Sequence, residues 1–201
     1  MEKKPRIAVI IGSTRPTRFA EKPTQWVYEK AAARNGWEVE ILDLRDFDLP
    51  FFAEMASNLW MPSEDPKAVA WQEKLATFDG FIFVTAEYNR SIPAVLKNAL
   101  DQAYKEWNRK PMAIVGYGAT GGARAVEHLR TIGIELQMVP LRSAVHLQGA
   151  DFMKVHPMGE DGPMADVEDH LLPGTQAMFD ELDWWLNATI GARETDLQSA
   201  A

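Results

Sequence analysis

The chain has 201 residues, of which 46% are hydrophobic and 25% are charged, the usage of an ordinary globular protein. It contains no cysteine, which excludes a disulfide scaffold, a cysteine-based zinc site, an iron–sulfur cluster and a thiol nucleophile. Twenty-one basic and twenty-nine acidic residues give a net charge of −8, which argues against a general nucleic-acid binder or a binder of anionic membranes. This balance does not exclude a small cationic pocket.

The beginning of the chain shows no targeting segment. The apolar run at residues 7–11 is too short for the core of a signal peptide, and no stretch approaches the roughly 18 apolar residues of a membrane span. We therefore expect a soluble, cytoplasmic protein. Its length predicts a single domain over residues 1–201, with a core at about 6–145 and a C-terminal loop and helix that reach about 190.

Short apolar runs alternate along the chain with longer stretches of helical periodicity. The apolar runs predict five strands, at residues 7–11, 37–42, 81–84, 112–115 and 134–139. The helical stretches predict helices at about 21–35, 66–77, 93–106, 122–132 and 164–190. Strands that alternate with helices form βαβ units, so the sequence predicts an α/β protein whose parallel sheet has helices on both faces.

Two long connections interrupt this alternation, at residues 45–65 and 147–165. Connections of this length in a compact α/β protein are walls of a site, lids, interface segments or ordered surface loops. Within the first connection, Trp60 and Met61 are interpreted as core packing, and a wall of a binding site is the alternative.

The loop at Gly12–Phe19 joins the first strand to the first helix and combines glycine, hydroxyl and guanidinium groups. Backbone N–H groups, hydroxyl donors, a helix N-terminus and guanidinium forks are what a phosphate group requires. The loop lacks the Gly-Lys-Ser/Thr ending of a nucleotide triphosphate loop, which disfavours ATP or GTP. The alternative is that the hydroxyls cap the helix and that Arg15 and Arg18 are solvated.

The loop at Ala86–Pro93 follows the third strand and contains Glu87, Tyr88 and Asn89. Its backbone groups can face a planar heterocycle while the tyrosine ring packs beside it. Pro93 suits the first turn of the next helix. A plain capping turn would explain only part of this string.

The loop at Val115–Gly122 follows the fourth strand, and its glycines spell G-x-G-x-x-G. A dinucleotide fingerprint also needs an acidic residue about 20 positions later at the end of the next strand. Glu135 has that spacing but lies at the beginning of the predicted fifth strand. The glycines are therefore interpreted as allowing the backbone to approach a flat ligand or to open the helix tightly.

A flat heteroaromatic ring that carries one phosphate fits all three loops. Three strings of the sequence resemble the NADPH-dependent FMN reductase family: GSTRPTRF, EYNRSIPAVLKNALD and YGATGGARA. The match extends over residues 6 to about 145. This resemblance implies a flavodoxin-like three-layer sandwich with a five-stranded parallel sheet in the order 2-1-3-4-5. It also implies FMN as cofactor, NADPH or NADH as electron donor, a quinone-like acceptor, and a homodimer or homotetramer without nucleic-acid or membrane partners.

The same resemblance assigns roles to residues of the three loops. Ser13, Arg15 and Arg18 correspond to phosphate ligands, and Ala86 departs from the proline that usually precedes Glu-Tyr-Asn. Flavin chemistry belongs to the cofactor, so no catalytic side chain and no metal ligand is assigned. The full set of expected cofactor-binding residues is Ser13, Thr14, Arg15, Arg18, Phe19, Glu87, Tyr88, Asn89, Gly116, Tyr117 and Gly118.

Two other functions remain open from the sequence. A flavodoxin-like electron carrier would hold FMN without oxidising NAD(P)H directly, although its phosphate loop would use hydroxyls and glycine rather than arginine. A nicotinamide dehydrogenase would use the G-x-G-x-x-G string and would be colourless. With an oxidoreductase, the segment at Trp60 and Met61 becomes a candidate wall on the acceptor side, donated across a dimer.

Overall fold

The computed structural model describes residues 4–199, with side chains described as far as residue 196. The strands are β1 (Arg6–Ile11), β2 (Glu38–Asp43), β3 (Gly80–Ala86), β4 (Pro111–Tyr117), β5 (Val139–Pro140) and β6 (Val145–Leu147). The helices are α1 (Glu21–Ala32), α2 (Pro66–Ala76), α3 (Ala94–Asp101), α4 (Ala123–Glu135), α5 (Gly149–Val155) and α6 (Glu168–Ser199), with a 3₁₀ turn at Met164–Asp166.

All strand pairs of the sheet are parallel, in the order β2-β1-β3-β4-β5, and β6 continues along the same edge of β4 as β5. This order confirms the predicted flavodoxin-like sheet. Ile11 pairs with Val84, and Val84 pairs with Val115, so β1, β3 and β4 end side by side. The loops that follow these three strands therefore start at neighbouring points.

Two apolar cores lie on opposite faces of the sheet, because successive strand side chains point to opposite sides. One core joins Val9 and Val84 to α1 and α6, and the other joins Ile10 and Phe83 to α2, α3 and α4. β3 and β4 are buried along their whole length, which explains why they consist of unbroken apolar runs.

The first four predicted strands are confirmed, but the predicted fifth strand at 134–139 is wrong. Ile134 and Glu135 are the last residues of α4, and Gln137 ends the helix in the left-handed region at φ 57°. The buried residues of this alternation, Leu136 and Met138, follow the end of the helix, whereas Ile134 is exposed. The strand position is filled instead by β5 and β6, which are separated by residues 141–144.

The C-terminal part of the chain also differs from expectation. The connection predicted at 147–165 contains α5, and the last helix is α6 rather than a helix from 164 to 190. Among residues 4–199, no helix combines the length and apolar character that a membrane span requires.

The interpretation of Trp60 and Met61 as core packing is wrong, since they are 79% and 46% exposed.

Replacement of Trp71 by alanine tests the core between the sheet and α2. The Trp71 ring is fully buried, lies 4.6 Å from the Phe47 ring, and its indole N–H donates to the Ala99 carbonyl at 2.8 Å. Trp71→Ala should lower the free energy of unfolding by about 3–5 kcal/mol in urea denaturation. The control Trp184→Ala removes a ring that is 63% exposed and should cost less than about 1 kcal/mol. Equal effects would contradict this assignment of the core.

Candidate functional site

Three loops meet at the carboxyl ends of β1, β3 and β4: a first loop at 12–20, a second at 87–93 and a third at 118–122. The Gly12 N–H donates to the Val84 carbonyl at 2.9 Å. The Arg15 guanidinium lies 5.8 Å from the centre of the Tyr88 ring, which brings the first and second loops together. In an open α/β sheet this edge, where the strand order reverses, is where ligands bind.

The two arginines of the first loop have different environments. Arg18 is buried: its Nε donates to Glu21 at 2.7 Å, and its Nη1 donates to Asp43 at 2.7 Å and to the Ser13 carbonyl at 2.5 Å. Its Nη2 also donates to Asp43, so four of about five N–H donors are used within the protein. Arg18 therefore supports the first loop from within, and the structure leaves it little capacity as a direct phosphate ligand.

The charges of Arg18 and Asp43 stabilise each other. Burial opposes the charged form of Asp43, but the hydrogen bonds from Arg18 and from the Arg45 backbone N–H, together with the charges of both arginines, hold the pKa of Asp43 below its ordinary value. The hydrogen bond to Asp43 likewise raises the pKa of Arg18. Both groups are charged at neutral pH.

Arg15 is exposed and, among the residues that the structure describes, no carboxylate pairs with its guanidinium. Within residues 4–199, the backbone N–H groups of Thr14 and Arg15 also lack an acceptor at hydrogen-bonding distance. Unused amides next to an unpaired guanidinium form a donor set suited to an anion. Ser13 is buried beneath them at 1% exposure.

The second loop is a tight turn whose ends are held in two ways. The backbones of Tyr88 and Ser91 exchange hydrogen bonds of 2.8 and 3.0 Å, and the intervening Asn89 and Arg90 both have positive φ, at 51° and 68°. This is the backbone of a two-residue hairpin turn with left-handed central residues. The Ser91 hydroxyl lies 2.6 Å from His128 Nδ1 on α4, which fastens the turn to the helix. Tyr88, Asn89 and Arg90 are thereby presented to solvent.

Glu87 has a role that the sequence did not suggest. Its carboxylate accepts from the Arg124 backbone N–H at 3.1 Å and pairs with the Arg124 guanidinium, while Gly122 provides no side-chain cap for α4. Burial acts against the charged carboxylate, but these hydrogen bonds lower the pKa of Glu87. The second loop therefore caps the helix that begins at the third loop, and it faces the ligand edge with its backbone rather than with this side chain.

Two glycines at the end of β4 are needed for different reasons, Gly116 for lack of space and Gly118 for its backbone conformation. A Cβ on Gly116 would lie 2.5 Å from the Gly121 carbonyl oxygen, so the third loop folds back tightly over this position. A Cβ on Gly118 would meet nothing within 4 Å, and its φ of 137° favours glycine.

Glu135 lies at the end of α4, not at the end of a strand, which rules out the dinucleotide fingerprint that the spacing suggested.

Phe19 and Tyr117 form an aromatic cluster beneath the loops, with ring centres 5.4 Å apart. Both are nearly buried, and burial is the main reason that the pKa of Tyr117 is raised. His156 completes the cluster, with its ring centre 4.9 Å from that of Phe19. The connection after β6 thus contributes to the site, although no motif in the sequence marked it.

These features define a class: a flavodoxin-like α/β protein in which three loops meet at the carboxyl ends of β1, β3 and β4, the first of them with donors suited to an anion. The family model described as NADPH-dependent FMN reductase matches residues 5–151. The chain belongs to the NADPH-dependent FMN reductase family.

Known proteins of similar sequence and fold carry related names. An NAD(P)H-dependent FMN reductase of Schizosaccharomyces pombe is 37% identical over 150 residues, covering 71% of this chain and 74% of the relative. A 2-hydroxy-1,4-benzoquinone reductase of a Burkholderia species is 35% identical over 142 residues, covering 67% and 73%. The solved structure of FerB, a flavoenzyme NAD(P)H:(acceptor) oxidoreductase of Paracoccus denitrificans, superposes with a TM-score of 0.67 at 23% identity, covering 89% of this chain and 97% of that one.

The substitution Glu87→Gln tests the capping of α4 by the second loop. An amide keeps the shape but loses the charge that two donors of Arg124 require, so the free energy of unfolding should fall by about 1–2 kcal/mol at neutral pH. The control Glu127→Gln removes an exposed carboxylate that pairs with Arg130 and should cost less than about 0.5 kcal/mol.

The pH dependence of this difference checks the mechanism. Because the folded-state pKa of Glu87 lies below its ordinary value of 4.5, the stabilisation is fully present above that pH and is lost as the pH falls through the lowered pKa. Urea denaturation of the wild type and Glu87→Gln should therefore differ by a constant amount between about pH 5 and 8 and converge in more acidic solution. A difference that grows on acidification would contradict the assignment.

Proposed function

We propose that this protein is an enzyme, an FMN-dependent NAD(P)H oxidoreductase that passes electrons from reduced nicotinamide to a small quinone-like acceptor. Membership of the NADPH-dependent FMN reductase family supports the donor and the cofactor. Relatives named as quinone reductases support the acceptor. The observation that carries the proposal is the guanidinium of Arg15, which pairs with no carboxylate in the described part of the chain, beside first-loop amides that have no acceptor there; together they would suit a single phosphate at the ligand edge of the sheet.

The expected binding residues divide into two groups by burial. The exposed or half-exposed residues would contact FMN directly: Thr14, Arg15, Tyr88, Asn89 and Gly118. The remainder would hold the three loops in place: Ser13, Arg18, Phe19, Glu87, Gly116 and Tyr117. Thr14 and Arg15 would bind the phosphate, and the turn at Asn89 would present its backbone to the ring.

When bound, the flavin supplies the redox chemistry, taking a hydride from reduced nicotinamide and releasing electrons to an acceptor. The protein's part is to bind and orient. Arg15 and the amides of the first loop would anchor the phosphate end, and the Tyr88 ring, which is exposed beside Arg15, would pack next to the flavin ring. No acid or base among the loop residues is required for a hydride transfer.

We further propose that the protein is a cytoplasmic homo-oligomer. A reductase of this kind depends on the intracellular pool of reduced nicotinamide. The connection between β2 and α2 presents large apolar side chains to solvent near the site, and a second copy of the chain would cover them. These side chains are Phe51, Met55, Trp60 and Met61.

The visible spectrum of the purified protein is the most direct test. A reductase should be yellow, bleach rapidly with NADPH or NADH under anaerobic conditions, and recover its colour when a quinone is added. A yellow protein that ignores both nicotinamides would overturn the proposal in favour of an electron carrier. A colourless protein that binds no added FMN would refute a flavin function altogether.

The variant Arg15→Ala tests the phosphate site. Loss of a charge-assisted contact should weaken FMN binding by about 10- to 100-fold, measured by quenching of flavin fluorescence. Riboflavin, which lacks the phosphate, should bind the wild type and the variant equally. The control Arg142→Ala removes the same charge from an exposed position outside the three loops and should leave both affinities unchanged. Unaltered FMN affinity in Arg15→Ala would refute the phosphate assignment.

A further inference from the structure

Three consecutive carbonyl groups of the first loop point at guanidinium groups. The Ser13 carbonyl accepts from Arg18 Nη1 at 2.5 Å. The next two carbonyls, of Thr14 and Arg15, accept from Nε and Nη2 of Arg45 at 3.3 and 2.5 Å. The Arg15 carbonyl also accepts from the Arg18 backbone N–H at 3.0 Å in a local turn. Arg45 follows β2, 31 positions from Thr14 in sequence, so its bond to the Thr14 carbonyl is a long-range contact.

The direction of these carbonyls determines the direction of the amides. In a planar trans peptide, the N–H points opposite to the C=O of the preceding residue. The carbonyls of Ser13 and Thr14 are held on the side of the guanidinium groups, so the N–H groups of Thr14 and Arg15 point to the other side. Neither of these two amides has an acceptor at hydrogen-bonding distance among residues 4–199. Successive amides that point the same way form an anion-binding concavity.

The charges behind the loop balance one another. Asp43 pairs with Arg18 and accepts from the Arg45 backbone N–H at 3.0 Å, and Glu21 pairs with both arginines. Two guanidinium groups thus face two carboxylates, so this network adds no net charge to the site. Its effect on an anion would come from the orientation of the loop backbone, whereas Arg15 supplies the charge.

We propose that Arg45 is a positioning residue for the phosphate end of FMN: it holds the Thr14 carbonyl so that the Arg15 amide faces the phosphate. Its bond to the Arg15 carbonyl, which precedes Pro16 and so orients no amide, fixes the Arg45 guanidinium against the loop. This inference rests on the proposed function. It distinguishes Arg45, which acts through the backbone and never touches the ligand, from Arg15, which contacts it.

Paired affinities for FMN and riboflavin test this role. Arg45→Ala should bind FMN about tenfold more weakly than the wild type, while its riboflavin affinity stays within about twofold, because only the phosphate needs the oriented amides. Arg45→Lys keeps the charge but not the fork that reaches two carbonyls, so it should remain at least about threefold weaker for FMN. Arg45→Lys also serves as the test if the alanine variant does not fold.

Arg130 offers a matched control. Its guanidinium likewise donates to two backbone carbonyls, of Leu141 and Arg142, and pairs with a glutamate, but it lies on α4 away from the first loop. Arg130→Ala should leave both flavin affinities unchanged. Salt dependence separates orientation from charge: Arg45→Lys keeps the charge of the network, so its slope of FMN affinity against ionic strength should be preserved, whereas the slope should be reduced in Arg15→Ala.

Each alternative outcome has a distinct meaning. FMN affinity within about twofold of the wild type in Arg45→Ala would overturn the inference and leave the proposed function intact. Equal weakening of FMN and riboflavin would also overturn it, because Arg45 would then support the fold of the whole site. Full recovery in Arg45→Lys would show a charge effect and contradict positioning. A wild type that binds neither flavin would overturn the proposed function itself.

Discussion

The partly buried ion pair between Arg18 and Asp43 is the contact on which the site depends. It joins the loop after β1 to the last residue of β2, so two neighbouring strands are tied together at their carboxyl ends. Removing one partner should cost less than the roughly 3–5 kcal/mol of a fully buried pair, because Arg18 keeps its contact with Glu21 and Asp43 keeps the Arg45 backbone N–H. The same guanidinium holds the Ser13 carbonyl, and the course of the first loop follows from that bond. An interaction that resembles ordinary structural support thereby determines which backbone groups are free for a ligand.

Most of the fold follows from burial patterns that are visible in the sequence. Strands covered on both faces must be apolar throughout, and β1, β3 and β4 show this at 7–11, 81–84 and 112–115. The fifth strand could not be found in this way, because β5 and β6 have two and three residues and an irregular segment between them. The alternating residues 134–139 instead combine the end of α4, the left-handed Gln137 and the first residue of β5. Short edge strands leave too few residues for periodicity to distinguish them from a helix end.

The location of the candidate site was predictable, whereas the division of roles within it was not. Composition marked three loops after three central strands, and the structure brings them together. Arg15 and Arg18 are equivalent in the sequence, three positions apart in one loop, and only the position of Asp43 on the adjacent strand separates their environments. Glu87 resembles a ligand residue in its motif, yet its carboxylate caps α4. Such roles depend on partners 25 or 37 positions away, which sequence periodicity does not reveal.

The net charge of −8 is compatible with binding of a single phosphate because of how charges are distributed around the first loop. Exposed charges separated by more than about 8–10 Å are largely screened at physiological ionic strength, so distant carboxylates contribute little at the first loop. Close to the loop, Arg18 and Arg45 are balanced by Asp43 and Glu21. Among residues 4–199 no carboxylate pairs with Arg15, so on the proposed assignment this is the charge that a phosphate would meet, together with the amides of the first loop. An acidic protein can bind one phosphate in this way while repelling a polyanion, whose many charges would extend beyond the range of a single arginine.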